Sequence, residues 1–131
     1  MSRSDMIADA LTAIMNASKI KKENVDIMIN SVVKSILEIL KKESYIENFQ
    51  ALDSKYNKMR VYLKYDQEKN PAITSLKRVS RPGLRVYVKK DKIPIVLRGQ
   101  GIAILSTPSG IISSKEAKEK GLGGEVVCSI Y

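Results

Sequence analysis

The sequence predicts an α+β protein of two small, closely packed domains, and three observations carry that reading. The first half patterns as α-β-α-β-β. The second half patterns as short, mainly antiparallel strands with one short helix. The polar segment 66–71, which ends in Pro71, separates them. The domains are therefore drawn at 1–68 and 69–131. A chain of 131 residues, 44% of them apolar, suits two units of that size. With no Trp and one Phe, the core must be aliphatic.

Each element has its own signal. Residues 5–17 read as a helix, because Ile7, Leu11 and Ile14 share one face while Asp5, Asp9, Thr12 and Asn16 share the other. Ser4 or Asp5 is its expected N-cap. Residues 25–29 alternate as a strand. Asn30 or Ser31 then caps a second helix to Lys42, with Val33, Ile36, Leu37 and Leu40 inward. Two strands, 45–52 and 59–65, form a hairpin through 53–57.

Beyond Pro71, residues 73–79 read as a strand. Pro82 and Gly83 sit at the central positions of a type II turn. Residues 85–89 form a short strand and 91–97 a short helix. Strands 102–106 and 110–112 flank a tight turn, Thr107-Pro108-Ser109. Ser113 and Glu116 make a capping box for a helix that ends near Lys120, where Gly121 supplies a left-handed cap. Residues 125–130 close the fold as a strand.

The residue inventory excludes much chemistry. There is no histidine, and the lone Cys128 lies in an apolar strand. Zinc sites of the Cys/His kind and His-dependent nucleophiles are thereby excluded, and neither a metal nor a cofactor is expected. Gly99-Gln100-Gly101 and Gly121-Leu122-Gly123-Gly124 lack the strand-to-helix setting of dinucleotide and P-loop sites. Turns and a helix cap account for Gly99, Gly101 and Gly121. Gly123 and Gly124 could also admit another molecule close to the backbone. No apolar run nears the roughly 20 residues of a membrane span, and the opening Met1-Ser2-Arg3-Ser4-Asp5, followed by an amphipathic pattern, is not expected to act as a secretory signal. The chain is expected in the cytoplasm or in an organelle matrix such as the plastid stroma.

Charge points to a partner. Residues 71–131 hold 11 basic and 4 acidic side chains, a net of +7, against +2 for residues 1–70. Eight basic residues and a single acid, Asp91, lie between Lys77 and Arg98. Such a stripe attracts a polyanion. The following segment, 99–131, is neutral but carries Ser106, Thr107, Ser109, Ser113 and Ser114. These hydroxyls can hydrogen-bond bases and 2′-hydroxyls, or they can serve only to stabilise turns. On the residues alone the two readings stand level.

Four stretches resemble one known family in order along the chain. They are Ser4-Asp5-Met6-Ile7-Ala8-Asp9-Ala10-Leu11-Thr12; Val79-Ser80-Arg81-Pro82-Gly83-Leu84-Arg85-Val86-Tyr87; Gly101-Ile102-Ala103-Ile104-Leu105-Ser106-Thr107-Pro108-Ser109-Gly110-Ile111-Ile112; and Gly121-Leu122-Gly123-Gly124-Glu125-Val126-Val127-Cys128. Together they resemble the family of the eighth protein of the bacterial-type small ribosomal subunit. The resemblance implies a non-enzymatic ribosomal protein that binds the central domain of small-subunit rRNA and supports subunit assembly. It implies neighbouring small-subunit proteins as partners, and a messenger structure of its own operon in bacterial members. Carried over, the RNA-binding candidates are Ser106, Thr107, Ser109 and Gly110; Gly124 and Glu125; Arg85 and Tyr87; and Thr12 and Asn16. Arg81 and Lys90 join them from the basic stripe.

The chain departs from the family pattern in places. Met6 stands where the family usually has Pro, and Ala13 and Met15 stand where it has Arg. Ser109 replaces a common Lys and Ser114 a common Asp. The first helix is thereby poorer in phosphate contacts, so the C-terminal candidates carry more of the expectation. A DNA-binding module and a metal-dependent nuclease are the competing classes. Competition with duplex DNA tests the first, and incubation of RNA with magnesium tests the second.

Overall fold

The computed structural model describes residues 5–53 and 57–131. They fall into two compact units: Met6–Thr74, and Asp5 together with Ser75–Tyr131.

The first unit runs α1 (Met6–Lys19), β1 (Asn24–Met28), α2 (Ser31–Lys42), β2 (Ile46–Asp53) and β3 (Lys58–Leu63). Its antiparallel sheet has the order β1-β3-β2, so the last strand lies in the centre. Strand alternation gives this sheet two faces. Ile27, Met59, Val61 and Leu63 are buried, while Asp26, Arg60 and Tyr62 project to the other side. On that open side Arg60 Nε donates to Asp26 Oδ1 at 2.8 Å, directly across the β1–β3 pair. Leu11 and Ile14 of α1 are buried, as are Val33, Ile36, Leu37 and Leu40 of α2. The N-cap of α2 is Asn30, whose side chain accepts from the Val33 N–H at 2.8 Å. Asp5 precedes α1, but its carboxylate is 3.1 Å from Arg78 Nε. Ser4, and residues 54–56 of the expected hairpin loop, lie outside the described residues.

The second unit adds β4 (Leu76–Arg78), β5 (Tyr87–Val88), β6 (Ile102–Thr107), β7 (Gly110–Ser113), α3 (Ser114–Lys120) and β8 (Gly124–Ile130). Strand β8 pairs antiparallel with β6, and also with β4 and β5; β6 pairs in turn with β7. One face of this sheet packs on α3, joining Ala103, Leu105, Ile112 and Val126 to Ala117 and Ile93. Helix α3 starts at Ser113, whose hydroxyl accepts from Glu116 N–H at 3.2 Å. It ends at Gly121, φ 65°. Cys128 is fully buried, and burial pushes its thiol up to about 12.

Three local expectations fail. Residues 91–97 form no α-helix; a single 3-10 turn occupies Leu97–Gly99. Pro94 cannot donate a helical hydrogen bond and biases Ile93 toward extended backbone. Leu97 and Arg98 then take positive φ of 47° and 54°. The turn at Pro82-Gly83 is closed by the Leu84 N–H donating to the Arg81 carbonyl at 3.0 Å. Gly83 is not among the positive-φ glycines, so the turn is not type II. The strands expected at 73–79 and 85–89 are reduced to Leu76–Arg78 and Tyr87–Val88.

Leu37 is fully buried on the inward face of α2. Leu37→Ala should cost about 2–5 kcal/mol through the cavity it leaves. Urea denaturation checks this, and an unchanged midpoint would contradict the packing of α2.

Candidate nucleic-acid interface

Strands β4 and β5 lie end to end along one edge of β8. Between them the chain leaves the sheet and returns. Ser80 N–H donates to the Val126 carbonyl at 3.1 Å, and Val126 N–H donates to the Val86 carbonyl at 2.8 Å. One residue of β8 thus holds both ends of the excursion. The fully buried Ser80 hydroxyl closes its base. It accepts from Val86 N–H at 2.9 Å and lies 3.3 Å from the Val86 carbonyl, to which it donates. Arg81, Pro82, Gly83, Leu84 and Arg85 are held outside the sheet and exposed. Sequence reasoning missed Ser80, because a serine before Arg-Pro-Gly looks like one more turn residue.

The return at Val86 fixes the register of β5. Tyr87 stands opposite Glu125, Glu125 opposite Ser106, and Ser106 opposite Ile111. Directly paired residues project to the same side of a sheet, so these four form one row across β5, β8, β6 and β7. The row lies on the face away from α3, since Leu105 and Val126 point to α3 from the neighbouring positions. Tyr87 is 69% exposed. Among the described residues the Ser106 hydroxyl makes no hydrogen bond. Arg85 Nη1 donates to Glu125 Oε2 at 3.0 Å. That contact raises the Arg85 guanidinium above its ordinary value.

Two glycines make the row possible. A Cβ on Gly124 would collide with the backbone of Ser106 and Thr107. One on Gly123 would collide with the backbone of Val88 and Lys89. Their missing side chains are therefore used inside the protein, where β8 is squeezed between the ends of β5 and β6.

The loop after β6 is shorter than expected, because Thr107 pairs with Gly110 and leaves Pro108 and Ser109 as the turn. Proline fixes φ near −65°, which rules out the primed turns usual for such hairpins. Gly110, φ 104°, absorbs the mismatch. Thr107 Oγ1 donates to the Gly110 carbonyl at 2.9 Å and accepts from Ser109 N–H at 3.1 Å. Its hydroxyl braces the turn and keeps one acceptor position. Ser113 caps α3, and the Ser114 hydroxyl accepts from the buried Ala103 N–H at 3.0 Å. Both of these serines are structural.

The basic stripe is thinned by internal pairing. Arg78 Nε binds Asp5, and its Nη1 donates to the Val127 carbonyl at 2.8 Å. Its side chain is only 10% exposed. Arg85 is engaged by Glu125. Among the described residues, Lys77, Arg81, Lys89, Lys90, Lys92 and Arg98 are exposed and make no ion pair. Lys89, Lys90 and Lys92 cluster in one turn, closed by Lys92 N–H donating to the Lys89 carbonyl at 2.9 Å. Thr12 and Asn16 are exposed on α1, in the other unit.

The family model described as ribosomal protein S8 matches residues 5–131. The chain belongs to the ribosomal protein S8 family. Small ribosomal subunit protein uS8 of Desulfitobacterium hafniense is 50% identical over 132 residues, covering the whole of both chains. The proteins of the same name from Geobacter sulfurreducens and Halothermothrix orenii are each 48% identical over 132 residues, again with full coverage of both chains.

In this S8-family chain the two kinds of glycine should separate on substitution. Gly124→Ala forces a methyl group into the β6 backbone and should cost at least about 1–3 kcal/mol, as overpacking does. Gly83→Ala meets open space at ordinary φ and should change stability by less than about 0.5 kcal/mol. Thermal denaturation of the two variants checks the contrast.

Proposed function

We propose that this chain is a structural constituent of the small ribosomal subunit that binds small-subunit rRNA. The Tyr87-Glu125-Ser106 row and the adjoining Thr107–Gly110 turn are its reading surface. The basic residues around it hold phosphates. Family membership supports the ribosomal setting, and the observation that carries the reading surface is the row itself. In it an exposed aromatic ring, a carboxylate and a hydroxyl that makes no hydrogen bond among the described residues share one sheet face, and the exposed Lys89 and Lys90 follow directly on β5.

The chemistry follows from each group. The Tyr87 ring offers a stacking surface for a base. Ser106 can both donate and accept. Among the described residues Glu125 Oε1 makes no hydrogen bond, so it can accept from a base amino group. Thr107 and Gly110 set the shape of the turn, so that the Ser109 side chain and the 108–109 backbone meet the RNA in one conformation. Gly124 lets Glu125 and Ser106 come abreast. Arg81 and Lys90 serve phosphates. Thr12 and Asn16 offer a second, weaker contact from α1, which lacks the arginines usual there. None of these groups forms a catalytic constellation. The finer target is the central domain of the rRNA, whose irregular helix the protein would help fix during assembly. A similar structure in its own operon messenger would fit the same surface, and neighbouring subunit proteins would take other faces.

Ser106→Ala should weaken binding to a central-domain rRNA fragment by about 1–3 kcal/mol, the cost of a lost buried hydrogen bond, and leave a scrambled hairpin almost unaffected. Equal loss on both RNAs, or on neither, would remove Ser106 as a reader.

Arg81→Ala and Lys90→Ala should behave in the opposite way. Each should weaken both RNAs alike and make the log-log salt slope shallower by about 0.7–0.9. Titration across a salt series measures this, and an unaltered slope would show that neither residue neutralises a phosphate.

A further inference from the structure

Arg85 lies in the basic stretch, and the family resemblance makes it an RNA-binding candidate beside Tyr87. The structure gives it a different occupation. Its Nη1 lies 3.0 Å from Glu125 Oε2, and the two side chains are unequally covered: Arg85 is 49% exposed and Glu125 only 16%. A single guanidinium nitrogen thus reaches one oxygen of a carboxylate side chain that is mostly out of water. Glu125 stands between Tyr87 and Ser106 in register, so its position sets the middle of the row. An unpaired carboxylate facing a polyanion would repel it and would hold no single orientation. One hydrogen bond from Arg85 removes both faults, since it neutralises the charge and fixes one oxygen while leaving Oε1 open. The backbone at Arg85 is itself held, because the next residue, Val86, is fastened on both polar groups by the buried Ser80 hydroxyl.

We infer that Arg85 is a positioning residue for RNA recognition, acting through Glu125 rather than on phosphate. The inference rests on the row being the RNA-reading surface. It divides the arginines of the excursion into two jobs, with Arg81 at the exposed turn meeting phosphate and Arg85 orienting an acid.

A double-mutant cycle on the full chain tests it, using Arg85→Ala, Glu125→Gln and the double variant. Each is titrated against the central-domain rRNA fragment and a scrambled hairpin. Arg85→Gln is measured alongside, so that a folding defect in the alanine variant does not decide the outcome. Arg85→Ala and Arg85→Gln should each weaken the fragment about 10–100-fold, the range for losing a hydrogen bond to a charged group, and should barely change the scrambled hairpin. In the Glu125→Gln background no bare carboxylate remains, so removal of Arg85 should cost less than about threefold. A loss that is equal on both RNAs and equal in both backgrounds is the behaviour of a phosphate contact and overturns the inference, as does no loss at all. If the unsubstituted protein itself fails to prefer the fragment, the reading surface is wrong and the inference falls with it. If it does prefer the fragment and the variants are additive, the role given to Arg85 alone is wrong.

Discussion

Strand β8 divides its hydrogen bonds among three partners, and the Tyr87-Glu125-Ser106 row takes its place from that division. On one edge it meets β6. On the other it meets β4 and then β5, which lie in line with the 79–86 excursion between them. A strand paired on both edges cannot slip without breaking both ladders, and a slip by one residue would turn Glu125 to the opposite face. The register is further pinned by a shift between Ile104 and Leu105, where β8 holds an extra residue against β6. That irregularity lets Glu125 share a face with Ser106, although Cys128, three positions later, shares a face with Ile104. Without it, simple alternation would place Glu125 and Cys128 on opposite sides of the sheet. The polar row is thus the end of a face whose other positions, Ile102, Ile104, Cys128 and Ile130, are fully or almost fully buried.

What could be read from the sequence was what is decided locally. Asn30 caps α2, Ser113 caps α3 and Gly121 ends it, because each depends on groups within four residues. The inward stripe of α2 was legible for the same reason: helical spacing alone selects Val33, Ile36, Leu37 and Leu40. The 91–97 segment misled because its charges and aliphatics suit a helix, while one proline inside it vetoes the backbone. The Pro-Gly turn misled differently. Its composition permits type II, but the closure between Arg81 and Leu84 is made with Gly83 at ordinary φ.

The non-local facts were not legible. Nothing in the neighbourhood of Arg78 announces that Asp5, 73 positions earlier, will take its charge. Ser114 gives no sign that it will satisfy Ala103, nor Arg85 that Glu125 will lie 40 positions on and within reach. The candidate site was therefore visible as a set of residues but not as an arrangement. Motifs named Ser106, Glu125 and Tyr87, and only the register shows them side by side. The structure also separates residues that the sequence left together. Ser113 and Ser114 are spent on the fold, Thr107 mostly so, and Ser106 keeps its hydroxyl.

In the proposed function, attraction and discrimination fall to different atoms. The exposed lysines and arginines act on any polyanion, over a distance set by screening, about 8 Å at physiological salt. The row itself is close to neutral, because Arg85 and Glu125 cancel. It therefore adds little to long-range capture. What it offers is short-ranged: a stacking surface worth about 1–3 kcal/mol per base, and hydrogen bonds of about 1 kcal/mol each when both partners are matched. In the proposed complex these contacts would form only with the correct base edge, and a wrong edge would leave Ser106 or Glu125 desolvated and unpaired, which costs more than the bond would have contributed. On that proposal, rising salt would erode the capture supplied by the exposed lysines and arginines much more than the discrimination supplied by the row. A neutral centre set in a basic half-chain is what keeps those two quantities independent.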